Sequence, residues 1–148
     1  MKVEDALRDV RRLFVDTAPV IYFVEQNPNF QSQINAIFEQ VDAGLVRVVN
    51  SPITLAECLI GPMRSGNEQL QSDFQELLVR GAFTEFVPIS EAIAVDAARL
   101  RAAYNVSLAD ALQLATAVAA QCDAFLTNDK QLKRVSEIKI LVVEDLAL

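Results

Sequence analysis

Apolar positions along the chain fall in short blocks whose period switches repeatedly between that of a strand and that of a helix. Leu13-Phe14-Val15 is a compact apolar run, as a buried strand shows. Pro19 suits the first turn of a helix, which Val20 to Val24 continue and Asn27-Pro28 breaks. Ile34, Ile37, Phe38 and Val41 recur at helical spacing and end at Gly44. Leu45 to Val49 reads as a second strand, and Asn50-Ser51-Pro52 as the opening of a helix that Gly61-Pro62 ends. Leu70, Phe74, Leu77 and Leu78 mark another helix, stopped near Gly81, and Thr84 to Ile89 contains a short strand. Ser90 caps a helix with Ile93, Ala97, Leu100 and Tyr104 along one stripe. The first dozen residues read as an amphipathic lead-in helix, with Val3, Leu7 and Val10 on one side.

The stretch from Ser107 to Asp129 stands apart. Ser107 suits an N-cap, and Leu108 to Cys122 carry a single formal charge, Asp110. A helix apolar nearly all round is expected inside the protein, with Asp110, Gln113 and Gln121 on one narrow polar stripe. Ala124 to Thr127 then form a short buried strand that delivers Asp129 at its C-terminal edge, and Ile138 to Val143 make a late strand. Five alternations of strand and helix predict one domain with a three-layer α/β/α fold and a mainly parallel central sheet. Such sheets bind ligands outside the carboxyl ends of their strands, where Asp16 and Asp129 both fall.

Composition narrows the chemistry. The 148 residues are 52% apolar with a mean hydropathy of +0.25, yet no run approaches the roughly 18 apolar residues of a membrane span. The charged start is not a signal peptide, so a cytoplasmic protein without membrane contact is expected. Cys58 and Cys122 lack C-x-x-C spacing, which argues for reduced thiols rather than a disulfide or zinc site. Histidine is absent, which removes imidazole acid–base chemistry and imidazole metal ligation. A net charge of −7 argues against a broad polyanion-binding surface. The surplus apolar surface points to self-association, through the helix from Ser90 to Tyr104 or through the lead-in helix.

Four acids then need an account, and each has an ordinary structural use. Asp16 could cap the helix after it. Ser107-x-x-Asp110 matches a capping box, and Asn128-Asp129-Lys130 would make a plain turn. Glu57 is the one charge in an otherwise apolar helix, and burying a lone carboxylate is costly. Together they form a pattern, in which two nearly uncharged helices each keep one acid and two strands each end in one. Converging carboxylates raise one another's pKa. A divalent cation resolves that repulsion, and all-oxygen ligation suits Mg2+ or Mn2+, which activate water towards a phosphodiester.

These residues resemble a PIN domain, the nuclease fold of VapC-type toxins. The resemblance rests on Phe14-Val-Asp16-Thr17 with Val20-Ile21, on Leu55-Ala-Glu57-Cys-Leu59, on Leu108-Ala-Asp110-Ala-Leu112 leading into Ala115-Thr-Ala117, and on Phe125-Leu-Thr127-Asn128-Asp129. It implies a metal-dependent endoribonuclease with Asp16, Glu57, Asp110 and Asp129 as its acidic quartet, at once catalytic and metal-binding. Thr17, Thr127 and Asn128 are then supporting residues, with Mg2+ or Mn2+ as cofactor. A homodimer and an antitoxin that blocks the acidic pocket are implied as well. Two features depart from that pattern: Asn128 stands where many toxin members carry Arg, and the lead-in through Arg12 lies before the usual start. The rivals are a PIN-like protein without activity and a receiver-like signalling module, although the latter would want two neighbouring acids after the first strand. RNA also needs positive charge near the pocket, for which Lys130, Lys133 and Arg134 beside Asp129, and Arg64 after the Glu57 helix, are the candidates.

Overall fold

The computed structural model describes all residues, 1–148. Its centre is a sheet of five strands, β1 (Arg12–Val15), β2 (Arg47–Asn50), β3 (Thr84–Phe86), β4 (Ala124–Thr127) and β5 (Lys139–Val142). They run in the order β3-β2-β1-β4-β5, and every pairing is parallel. The direction of strand succession reverses at β1, and the crevice at the carboxyl ends of β1 and β4 is the switch point where such sheets accept ligands.

Side chains alternate across the sheet and build two cores. Leu13, Val15, Val48, Ala124 and Leu126 enter the larger core. Helices that pack on that face include α2 (Thr17–Val24), α3 (Gln31–Asp42), α4 (Pro52–Ser65) and α5 (Glu68–Arg80). Phe14, Val49 and Phe125 point the other way, and Phe14 stacks on Phe125 with ring centroids 5.1 Å apart. That face is covered by α6 (Glu91–Tyr104) and α7 (Leu108–Ala119). Three of the alanines of α7, Ala111, Ala115 and Ala117, are buried, and their small size lets the helix lie close to the sheet and to α6.

Three boundaries differ from expectation. The lead-in forms only a short helix, α1 (Val3–Ala6), although Val3, Leu7 and Val10 are buried as its apolar side. The chain turns after it, with the Val10 N–H bonded to Leu7 O, because it must reach the first strand. The lead-in is also clasped to the other end of the chain, where Val3 N–H donates to Ala147 O at 2.8 Å and Ala147 N–H to Met1 O at 2.9 Å. Gly61-Pro62 does not end α4. Pro62 sits inside the helix, and the stop is Gly66, whose φ of 68° is left-handed, a conformation glycine adopts without steric cost. Finally, α7 is not interior all round, since Leu108 is 57% and Val118 43% exposed. Gln121 lies beyond its end with φ 57° and faces solvent, so it leaves the stripe that holds Asp110 and Gln113.

Candidate active site

Asp16 leaves β1 at the switch point and caps α2, its Oδ1 accepting the Thr17 N–H at 2.8 Å. The capping reading of this residue is therefore correct, but it uses one oxygen only. Oδ2 faces β4 and accepts the Thr127 hydroxyl at 2.8 Å. Thr127 is itself fully buried, and its oxygen also accepts the Asp129 N–H at 3.1 Å. One threonine thus ties the ends of two adjacent strands to both strand-end acids.

The remaining acids approach from two helices and a turn. Glu57 projects from α4, and its Oε1 accepts the Thr17 hydroxyl at 2.7 Å. It is exposed, so the carboxylate is not buried as its apolar surroundings suggest; its bond to Thr17 holds it next to Asp16. Asp110 sits in the first turn of α7, where its N–H donates to the Ser107 hydroxyl at 3.1 Å. Its carboxylate makes no return bond to the Ser107 N–H, so the capping box is only half built and the acid stays free for the crevice. Asp129 starts a single 3-10 turn, Lys130–Arg134, with its Oδ1 accepting the Gln131 N–H at 3.0 Å. Asp110 and Asp129 line a shared depression with Arg134.

The electrostatics follow from this crowding. Asp16 is 9% exposed, and burial pushes its pKa up to about 6, against the opposing bonds from Thr17 and Thr127, with the charges of Asp110 and Glu57 adding to the rise. Half-burial raises Asp110 too, opposed by Ser107 and reinforced by Asp129 and Glu57. The four acids therefore feel one another across the crevice, although no three of them stand together at ligating distance. Their chemistry fits a hard divalent cation, since every donor is oxygen and no Lys or Arg pairs with Asp16, Glu57, Asp110 or Asp129. A carboxylate offers about four lone-pair sites. Asp16 spends two on Oδ1 and one on Oδ2, which leaves Oδ2 able to take a further partner.

A residue outside the predicted set completes the arrangement. Gln113 of α7 is fully buried, and its Nε2 lies 3.3 Å from Asp16 Oδ1 and 3.4 Å from Thr17 Oγ1. The only sequence signal was a glutamine one helical turn beyond Asp110.

The predicted cationic rim is partly self-neutralised. Lys130 pairs with Glu144 at 3.6 Å, and Lys133 pairs with Asp145. Arg134 donates to the carbonyls of Gln131 and Tyr104. Arg64, in the last turn of α4, pairs with no acid and lies two turns beyond Glu57, about 10 Å along the axis. Asn128 does not reach the acids. Its Nδ2 lies 3.2 Å from Tyr22 Oη and its Oδ1 accepts the Glu144 N–H at 3.0 Å, so it braces α2 against the turn after β5.

Comparison with known proteins agrees with this geometry, as the PIN domain family model matches residues 13–138. The chain belongs to the PIN domain family. Solved structures of similar fold include a toxin–antitoxin complex from Klebsiella pneumoniae. VapBC2 from Rickettsia felis, bound to a DNA fragment of its promoter, aligns with a TM-score of 0.69 at 17% identity, covering 88% of this chain and 98% of that one. FitAB bound to a DNA fragment aligns with a TM-score of 0.73 at 17% identity, covering 92% and 98%. VapC20 from Mycobacterium tuberculosis, a toxin that cleaves the sarcin–ricin loop, aligns with a TM-score of 0.66 at 12% identity, covering 86% and 98%. At these identities the likeness is one of fold. No curated protein matches the chain. The parallel sheet and the helices on its two faces are thus those of a PIN domain, and no helix is long and apolar enough to cross a membrane.

Proposed function

We propose that this PIN domain is a divalent-metal-dependent endoribonuclease and the toxin of a toxin–antitoxin pair. The observation that carries the reading is Asp16: a buried carboxylate raised to about 6, held by three hydrogen bonds, with no cation to answer it. A carboxylate kept in so costly a place is expected where it has a functional partner.

In this reading Asp16, Glu57, Asp110 and Asp129 hold Mg2+ or Mn2+. When bound, such an ion supplies Lewis acidity towards a phosphodiester. Thr127 fixes the Asp16 carboxylate, and Thr17 fixes Glu57 through its hydroxyl. Arg134 and Arg64 meet the phosphates flanking the cleaved bond, the more so because Lys130 and Lys133 already face Glu144 and Asp145. An antitoxin segment would inhibit by covering the acidic crevice. Self-association is supported by the apolar residues left outside on α6 and α7, namely Val95, Leu108 and Val118. These readings suit a single domain working in the cytoplasm.

Incubation of the purified protein with a mixed RNA pool tests the reading. Cleavage in Mn2+ or Mg2+, loss in EDTA and loss in Asp16→Asn are the expected results. Intact RNA in both metals at high enzyme concentration would leave a PIN fold without nuclease activity.

A further inference from the structure

We propose that Gln113 is the positioning residue of this acidic site: locked from behind by two hydroxyls of α4, its amide sets the orientation of Asp16 and, through Thr17, of Glu57. The inference rests on the metal-nuclease reading and names a residue that the reading itself does not use.

The lock begins at Ser51. As the N-cap of α4 its oxygen accepts the Ile53 N–H at 3.1 Å, which leaves the hydroxyl proton to be given elsewhere. It goes to Gln113 Oε1 at 2.9 Å, and the Thr54 hydroxyl donates to the same oxygen at 2.8 Å. Ser51, Thr54 and Gln113 are all fully buried, so water cannot substitute for any of these partners. A flipped amide would strand the Ser51 proton and set Oε1 against the Asp16 carboxylate, acceptor facing acceptor. Buried polar groups left without partners are costly, so one orientation prevails.

That orientation directs both Nε2 hydrogens into the crevice. One approaches Asp16 Oδ1 at 3.3 Å and the other Thr17 Oγ1 at 3.4 Å. Thr17, accepting here, gives its own proton to Glu57 Oε1 at 2.7 Å. The polarity therefore runs one way, from Ser51 and Thr54 through Gln113 and Thr17 to Glu57. Glu57 is exposed and has no other hydrogen-bond partner, so Thr17 is its single tether. Gln113 has no exposed surface and cannot touch RNA. It holds in place two of the four acids that meet a cation, one directly and one through a hydroxyl.

Gln113→Met keeps the bulk of the side chain and removes the amide. Outer-shell partners of metal ligands typically contribute 10–100-fold in affinity or activity. Mn2+ affinity, measured by electron paramagnetic resonance without RNA, should fall by about that factor. The kcat for RNA cleavage should fall with it while KM stays unchanged. Methionine also leaves two buried hydroxyls without an acceptor, so the single variant loses stability. Gln113→Met with Thr54→Val removes one of them and should recover part of the lost melting temperature, with neither Mn2+ affinity nor kcat recovering. Parent-like Mn2+ binding and turnover in Gln113→Met would overturn the positioning role while leaving the nuclease reading standing. Recovery of rate together with stability in the double variant would reduce Gln113 to a packing residue. A parent protein that neither binds Mn2+ nor cleaves RNA defeats the nuclease reading, and the positioning role with it.

Discussion

Thr127 Oγ1 lies 2.8 Å from Asp16 Oδ2, joining the last residue of β4 to the residue that follows β1. The two strands are neighbours, with Val15 paired to Leu126, and the Asp16 N–H donates to Leu126 O at 2.9 Å. The sheet ladder thus brings the hydroxyl to the carboxylate. Hydrogen bonds to charged groups contribute about 1.5–3 kcal/mol. Thr127→Val, close in shape, should lower unfolding free energy by about 2 kcal/mol in urea titrations at neutral pH. Because the same hydroxyl accepts the Asp129 N–H, cleavage should fall more than tenfold, on the order of the loss seen for outer-shell partners. A neutral outcome in both measurements would mean that the bond does not hold the site.

The raised pKa of Asp16 makes stability depend on pH in a definite direction. Its ordinary value of 3.8 becomes about 6 in the fold, chiefly through burial. A group raised on folding contributes stability that is complete below the unfolded pKa and is lost as pH rises through the folded one. About two pKa units correspond to about 3 kcal/mol. In EDTA the parent should therefore lose stability between pH 4 and pH 7, whereas Asp16→Asn, which keeps only the raised Asp110, should lose less. The variant should be the more stable protein at pH 7.5, and its advantage should shrink towards pH 4. Urea midpoints across that range check the sign, and a parent that outlasts the variant at pH 7.5 would reverse it.

The cationic rim makes an unequal prediction. Lys130 and Lys133 are already paired with Glu144 and Asp145, whereas Arg134 lines the depression beside Asp110 and Asp129. On single strands each phosphate contact contributes about 0.7 to the slope of log K against log salt. Arg134→Ala and Arg64→Ala should each flatten that slope by about this amount in RNA-binding titrations with the inactive Asp16→Asn protein. Lys130→Ala and Lys133→Ala should change it less. Equal effects from all four would show that the ion pairs open on binding.

Much of this fold could be read from the chain because its signals are local. Leu13-Phe14-Val15 and Ala124 to Thr127 are apolar runs that end in acids, and a parallel sheet places such ends on one edge. Ser51, Ser90 and Ser107 each cap a helix as their positions suggest. Pro62 was misleading because its missing N–H costs a helix one bond without fixing where the helix stops; Gly66, with its left-handed φ, does that. Glu57 looked buried because its helix is apolar, yet only the packing of α4 decides which apolar side chains meet the core. The polar stripe of α7 put Gln113 on the face of Asp110, but no local pattern could give its role. Its role depends on Ser51 and Thr54, 62 and 59 residues away, and on the strand order that sets α7 beside Asp16. The pairing of Lys130 and Lys133 likewise depends on where the turn after β5 lies.

Binding of Mn2+ by the four acids is the point on which the rest turns. Calorimetric titration of the metal-stripped protein at pH 7.5 should give saturable binding, with affinity at least tenfold weaker in Asp16→Asn and in Asp110→Asn, the scale on which losing a partner to a metal site is usually felt. Both variants should remain folded. Absence of binding in the parent, or equal binding in the parent and both variants, would contradict a shared cation site at the ends of β1 and β4.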